Sequence, residues 1–390
     1  MVSFGSVHTA LYFDTSDAVD GFLASIGAAR ILALDTEGAS FHRYVDRIYL
    51  LQLSTREQTA ILDPLPIGTP RRLGAMLEDP NVEIVFHDAD YDLRLLQRDY
   101  GWRVRNIFDT RIAAQLVGIR AFGLAALLEQ FFGLRLDKKH QRADWSLRPL
   151  TPGMLDYAAQ DTMHLLGLRD RLHEELDRKG RLAWADEEFS VLERIRVAAD
   201  DDGEAFLRIK GARDLDRRGL AVLRELVAWR DGLARRLDKA TFRVVGNDQL
   251  LEAAARRPTA IAELTSIKGM PRGILDSRGQ EVLAAIQRGA EVPENALPRF
   301  PKPPRWNRDP DFDQRAAALK EPRDAAARRL DMDPGVLCSR DRLEAVARKN
   351  PKTMEELESI DELRRWQVRL LGEDFIKALA RFPQKANGQP

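Results

Sequence analysis

Cysteine is nearly absent: the 390-residue chain has one, Cys338. An intramolecular disulfide and a cysteine zinc cluster are therefore excluded, and a reducing cytoplasm is the expected compartment. Long apolar runs are also missing, and nothing approaches the ~20 residues of a membrane span. Met1-Val2-Ser3-Phe4-Gly5 lacks the basic stretch and apolar core of a signal peptide. There are six histidines, and His42, His140 and His164 show no paired metal-ligand spacing. Net charge is zero, but its distribution is uneven. Residues 1–203 carry 24 basic and 32 acidic side chains, 204–290 carry 17 and 11, and 291–390 carry 20 and 18. An acidic module joined to a basic one suits an enzyme that grips a polyanion partly away from its reacting centre, or is ordinary solvated charge.

What is present centres on carboxylates. Ile31-Leu32-Ala33-Leu34 reads as a buried strand that runs into Asp35-Thr36-Glu37-Gly38. Residues i and i+2 of a strand share a face, so Asp35 and Glu37 point the same way. Such a pair either meets water or shares a cation or proton. The apolar strand 83–86 leads through His87-Asp88-Ala89-Asp90-Tyr91 to Asp92, in the first turns of an amphipathic helix. Thr151 and Pro152 read as the cap and first residue of a later helix, on which Tyr157 and Asp161 stand one turn apart.

These segments together resemble the three motifs of the DEDD 3′→5′ exonucleases, in the subgroup with tyrosine before the last aspartate. Phe108-Asp109-Thr110-Arg111-Ile112-Ala113-Ala114, Leu136-Asp137-Lys138, Asp144-Trp145 and Arg148-Pro149-Leu150 further resemble segments of the ribonuclease D family. The likeness spans about residues 11–176. It implies an α/β ribonuclease H-like fold, a mixed sheet flanked by helices. It also implies Asp35, Glu37, Asp92 and Asp161 as ligands of two divalent ions (Mg²⁺ or Mn²⁺), Asp35 as their bridge, and Tyr157 as the residue that orients the attacking water. The family acts on RNA, so tRNA precursors and structured RNAs with single-stranded 3′ tails are the expected partners, with no membrane involved and a monomer as the expected state.

Taken in order, the chain predicts strands over 8–13, 31–37, 47–53, 59–63, 83–86 and 106–108. It predicts helices over 17–26, 70–77 and 110–116, and a helical connector over 187–199. Asp109 is read as an N-cap. His87 either touches the terminal nucleotide or caps a turn. Lys138, Lys139, His140, Arg142 and Arg148 precede the tyrosine helix and either meet phosphates or form a solvated loop. Two all-α modules follow and resemble the HRDC domain, a small nucleic-acid-binding fold. The first has helices over 219–237, 249–256, 260–264 and 279–286. The second repeats it at an offset of 93 residues, with Ala234-Arg235-Arg236-Leu237-Asp238 recurring as Ala327-Arg328-Arg329-Leu330-Asp331. Lys268-Gly269 lies in a turn where glycine lets backbone N–H groups approach a phosphate, or is a plain helix–helix turn. The second copy has Asp361-Glu362 there, so the first copy is the expected nucleic-acid binder. The resulting boundaries are 1–203 for the exonuclease domain, 204–290 for the first HRDC domain and 291–308 for a Pro-rich linker. The second HRDC-like domain is 309–383, and 384–390 is a disordered tail.

The expected reaction is metal-dependent hydrolysis from the 3′ end, releasing 5′-mononucleotides. Carboxylates cannot stabilise developing negative charge, but they hold hard cations that can. Two rivals are a DNA 3′→5′ exonuclease and an RNA-binding scaffold with a decayed site. The first shares every carboxylate; the second predicts that one acid or Tyr157 is lost, and all five are present.

Overall fold

A computed structural model of the chain describes residues 10–137, 139–197, 202–301 and 311–382. The first part holds strands β1 (Leu11–Phe13), β2 (Ile31–Glu37), β3 (Leu50–Ser54), β4 (Thr59–Leu62), β5 (Glu83–Phe86) and β6 (Ile107–Asp109). Helices α1 (Ser16–Ser25), α2 (Pro64–Ile67), α3 (Arg71–Leu77), α4 (Asp90–Tyr100), α5 (Thr110–Leu116) and α6 (Leu124–Phe132) are interleaved with them. Helices α7 (Pro152–Met163), α8 (Leu165–Arg178) and α9 (Leu182–Leu192) follow. The strands form one sheet in the order β1-β4-β3-β2-β5-β6. β3 runs antiparallel to both neighbours, and the remaining pairings are parallel. β3 and β4 are buried throughout, as strands covered on both faces must be.

This is the expected mixed sheet flanked by helices, with local differences. Strand β3 begins at Leu50 rather than 47, because the Ile48 N–H turns to donate to Asp99 Oδ2 at 2.7 Å on α4. Of the predicted strand 8–13, residues 8 and 9 lie outside the described residues. The connector helix starts earlier and ends at Leu192, not 199; residues 198–199 lie outside the described residues.

Helices α10 (Arg217–Leu237), α11 (Thr241–Val244), α12 (Asn247–Arg256), α13 (Ile261–Thr265) and α14 (Arg272–Ala290) form the first helical module. Helices α15 (Phe312–Leu330), α16 (Pro334–Leu337), α17 (Arg340–Lys349), α18 (Met354–Glu358) and α19 (Arg365–Leu379) form the second. The 93-residue offset holds even at the caps. Asp238 and Asp331 close equivalent helices with φ 46° and 49°, and Arg257 and Asn350 do so with φ 51° and 49°. Helix α14 is far longer than the predicted 279–286, because its glycines hide it. A Cβ at Gly289 would collide with the Val222 backbone, and one at Gly279 would press on Ile261 Cδ1 at 3.3 Å. These glycines let α10 and α13 approach closely, at the cost of helix propensity.

The start of the Pro-rich segment is not free. The Arg217 guanidinium donates to Glu294 O (3.2 Å) and Leu297 O (3.0 Å), and Leu297 is buried. Residues 302–308 and the tail 384–390 lie outside the described residues.

Both modules dock on the exonuclease domain through the same corner, the end of their first helix. In the first, Asp238 Oδ1 accepts from Tyr44 N (3.3 Å) and Ala240 N donates to His42 O (3.1 Å). In the second, Arg181 donates to Leu330 O at 2.9 Å and to Leu116 O at 2.7 Å, bridging the two domains. Trp184 and Trp366 stack alongside with centroids 4.5 Å apart. The repeated corner thus meets two different faces of the catalytic domain.

Candidate active site

Asp35 and Glu37 leave β2 on one face, as their spacing predicts. Helix α7, capped by the Thr151 side chain and started by Pro152, brings Asp161 to them. Oxygens of Asp35, Glu37 and Asp161 all lie within 4.8 Å of one another. Burial raises the pKa of Asp35, and the negative charge of Asp161 raises it further. Burial also raises that of Glu37, with Asp35, Asp161 and Asp92 adding to it. Asp161 is pushed up to about 7, again by burial first and then by Asp92.

Asp92 stands beside this trio rather than in it. Strand β5 pairs only with Ile31–Ala33, so the end of β2 is open on that side. Asp92, in the first turn of α4, fills the gap: its Oδ1 accepts from Thr36 N (3.0 Å) and from Thr36 Oγ1 (2.5 Å). Burial, then Asp35, raises its pKa despite those bonds. The motif's middle residue therefore anchors the fourth acid, a role the spacing does not announce.

Tyr157, one turn before Asp161, lies between the His140 and Trp145 rings at 6.2 and 6.1 Å. Burial raises its pKa, and Asp161, Glu37 and Asp35 raise it further. The phenol therefore stays protonated, which suits a hydrogen-bonding group better than a base.

Asp35, Glu37, Tyr157 and Asp161 border one cleft of ≈ 620 Å³, as does His87, while Asp92 does not. Thr110 Oγ1 donates to Phe86 O at 3.0 Å, so it accepts from His87 Nδ1 at 2.9 Å. That fixes the tautomer and leaves His87 Nε2 as an acceptor. Burial holds the ring pKa down to about 4, so it is neutral. Asp109 is the N-cap it was read as, accepting from Arg111 N and Ile112 N, and its other oxygen holds Ala89 N at 2.8 Å.

Arg148 requires a correction. The guanidinium's five N–H donors are all engaged within the protein: by both Asp63 oxygens, by Trp145 O and Leu147 O, and by Tyr49 O. No donor remains for a phosphate, and the residue ties the loop before α7 to the end of β4. Burial pushes the Asp63 carboxyl up, but bonds from Arg148, Tyr12 and Leu65 outweigh it and hold it below the usual carboxylate range. Because the folded pKa is depressed, this stabilisation is complete above that range and is lost as pH falls through the folded value. Arg148→Ala, which leaves a buried carboxylate unpaired, should cost about 3 kcal/mol in denaturant melts at pH 7. The deficit should shrink as the medium is acidified.

Lys268 and Gly269 do not border the cleft. Gly269 has φ +80°, and Gln249 Nε2 donates to Lys268 O at 3.1 Å, so the turn is already braced from within. Lys268 itself is exposed.

Sequence reasoning gave no site role to Gln52, Trp145 or Phe41, although Trp145 lies in a segment that carries the family resemblance. Gln52 sits opposite Asp35 in the sheet register, fully buried, and neither side-chain atom has a partner. Trp145 Nε1 is likewise an orphan, and its ring borders the cleft. Phe41 borders the cleft too and is 43 % exposed.

Four crowded acids, oxygen donors throughout, and the orphaned Gln52 amide opposite Asp35 fit hard divalent cations. Among the described residues bordering the cleft, Arg142 is the single lysine or arginine. Among the described residues, protein cations therefore do not neutralise the acids.

Comparison with known proteins points the same way. Residues 11–177 match a family described as 3′-5′ exonuclease, and residues 219–286 and 312–379 each match the HRDC domain. Ribonuclease D of Gluconacetobacter diazotrophicus is 32 % identical over 291 residues, 74 % of this chain and 74 % of that protein. Ribonuclease D of Granulibacter bethesdensis is 34 % identical over 274 residues, 70 % of this chain and 69 % of that one. The crystal structure of Escherichia coli RNase D, described as an exoribonuclease involved in structured RNA processing, aligns with a TM-score of 0.73 at 28 % identity. The alignment covers 96 % of this chain and all of that one.

Proposed function

The chain belongs to the ribonuclease D family, and on that premise we propose that it trims the 3′ ends of tRNA precursors and other small structured RNAs, as a cytoplasmic monomer. The activity itself, metal-dependent 3′→5′ exoribonuclease, is that of the family. Our reading adds the residue roles. Asp35, Glu37, Asp92 and Asp161 would hold the two divalent ions, and Tyr157 would orient the attacking water. The observation that carries it is the gathering of three acids within 4.8 Å beside Tyr157. Residues 1–203 act as the catalytic module, and the modules 204–290 and 309–383 hold RNA, the first more strongly.

The bound cations supply the charge stabilisation and water activation that carboxylates alone cannot. The chain's own residues do the rest. Thr36 fixes one Asp92 oxygen and leaves the other for a ligand. The Tyr157 hydroxyl, kept protonated, hydrogen-bonds the water and aims its lone pair at the terminal phosphodiester. His87 presents a neutral acceptor suited to a ribose hydroxyl at the 3′ end. The leaving oxygen belongs to the upstream 3′ carbon, so the product is a 5′-mononucleotide.

Tyr157→Phe should lower kcat about 100-fold, the usual size of such a positioning contribution, with RNA affinity in EDTA unchanged. If kcat instead matches wild type, the water-orienting role is lost. A metal-supplemented assay on matched RNA and DNA 3′ tails, with an EDTA arm, tests the reading as a whole: RNA degradation that survives chelation would refute it.

A further inference from the structure

The first helical module reaches the mouth of the cleft. Phe41 borders that cleft four residues beyond Glu37, and its ring meets Phe242 of α11 at 5.1 Å between centroids. Phe41 remains 43 % exposed and Phe242 49 %. Two rings that met only to join domains would bury each other further. Two guanidinium groups frame the pair. Arg142 and Arg243 lie 5.8 and 5.0 Å from the Phe41 centroid. Arg243 Nε also donates to Phe41 O at 2.6 Å, and Ala240 N holds His42 O at 3.1 Å, so the geometry is fixed by backbone contacts across the domains. Next to the pair is a groove of ≈ 400 Å³ bordered by Arg43, Lys239 and Arg243. Its two acids, Asp144 and Asp238, are each within 3.5 Å of Arg43, and Asp144 is also 3.8 Å from His42.

The second module supplies an internal control. At the 93-residue offset, Thr241-Phe242-Arg243-Val244 becomes Pro334-Gly335-Val336-Leu337. The last position is core in both, since Val244 and Leu337 are buried. The two positions before it differ: an exposed Phe-Arg pair in the copy beside the cleft, and Gly-Val in the copy docked elsewhere, where Val336 packs against the core. The fold of the module does not require the aromatic and the arginine.

We infer that Phe41, Phe242, Arg142 and Arg243 form a stacking platform for bases of single-stranded RNA just upstream of the 3′ end held in the cleft. Aromatic faces and guanidinium planes are the groups on which unpaired bases stack, and stacking accepts any base. A trimming enzyme needs that tolerance. The inference rests on the exoribonuclease reading and adds to it that the first module is a wall of the substrate path.

The test compares affinity for oligoadenylates of increasing length, from the dinucleotide upward, in EDTA so that nothing is cleaved. Phe242→Leu keeps apolar bulk against Phe41 but removes the aromatic face. It should weaken the longer oligomers about tenfold relative to its effect on the dinucleotide, the scale of one lost stack. Phe242→Trp should restore wild-type affinity, which mere packing between domains does not require. Leucine binding every length like wild type overturns the platform, as does tryptophan failing as badly as leucine. Wild-type protein that is inert on the same oligomers with Mg²⁺ would sink the exonuclease reading instead.

Discussion

Asp35→Asn should abolish hydrolysis, by more than about 1,000-fold, and should make the metal-free protein harder to melt. Both effects come from one cause. Asp35 lies between Glu37 and Asp161, with carboxylate oxygens within 4.8 Å, and it contributes to the raised pKa of Asp92. Unit charges at that spacing repel by about 3 kcal/mol at an effective dielectric near 20. Without cations the fold either bears this repulsion or takes up a proton against the carboxyls' ordinary pKa, and both cost stability at neutral pH. Removing one charge relieves that cost, so Tm in EDTA should rise by several degrees. On the proposed roles the same carboxylate would help to hold the cations, so its loss should remove most of the charge stabilisation they would supply to the leaving oxygen. Mg²⁺ should therefore raise the wild-type Tm and leave that of the variant nearly unchanged, because only a folded, intact site binds the ion. RNA affinity in EDTA should survive. A variant that hydrolyses RNA at the wild-type rate would remove Asp35 from the mechanism, and one less stable than wild type in EDTA would remove the repulsion argument.

Local spacing made much of the catalytic set legible. Asp35 and Glu37 follow from the two-residue period of a strand, and Tyr157 and Asp161 from the i, i+4 period of a helix. The helical repeat was legible because a constant offset needs no tertiary knowledge. Contacts that close over long sequence separations were not legible. Arg148 lies in a basic loop before the catalytic helix, which suggests phosphate; its partner Asp63, 85 residues away, takes that role from it. Thr36 looks like filler between two acids until α4 brings Asp92 against it. Helix α14 was read short because glycine lowers helix propensity, and the compensation, close packing on Val222, lies on another helix. Gln52 hid within a strand whose pattern announced only burial.

The long-range contacts also change what a truncation measures. The uneven charge distribution by itself predicts that removing residues 204–390 weakens binding more than chemistry, with a salt slope flatter by roughly 0.7 per lost phosphate contact. The structure predicts a larger consequence. Side chains of the catalytic domain, Phe108, Leu116, Leu172 and Phe189 among them, share one continuous apolar core with Phe312, Leu337 and Trp366 of the second module. Polar groups are matched across the same boundary. Glu187 accepts from Arg365 N (2.6 Å) and Trp366 N (3.1 Å), and Glu188 from Trp366 Nε1 and the Arg364 Nε, both at 3.2 Å. Cutting at 203 exposes Trp184, Phe189 and two carboxylates that lose their partners. Loss of one large aromatic from such a core costs about 3–5 kcal/mol. At roughly 2–4 °C per kcal/mol, Trp366→Ala alone should lower Tm by about 10 °C, and the truncated chain should aggregate rather than bind RNA weakly. Differential scanning calorimetry of Trp366→Ala, with size-exclusion chromatography of the truncated chain, checks both. A soluble, monomeric 1–203 fragment that melts like the full chain would show that the second module is a detachable accessory. Otherwise, affinity has to be dissected by surface substitutions in the intact chain, and the role of the basic module cannot be read from its deletion.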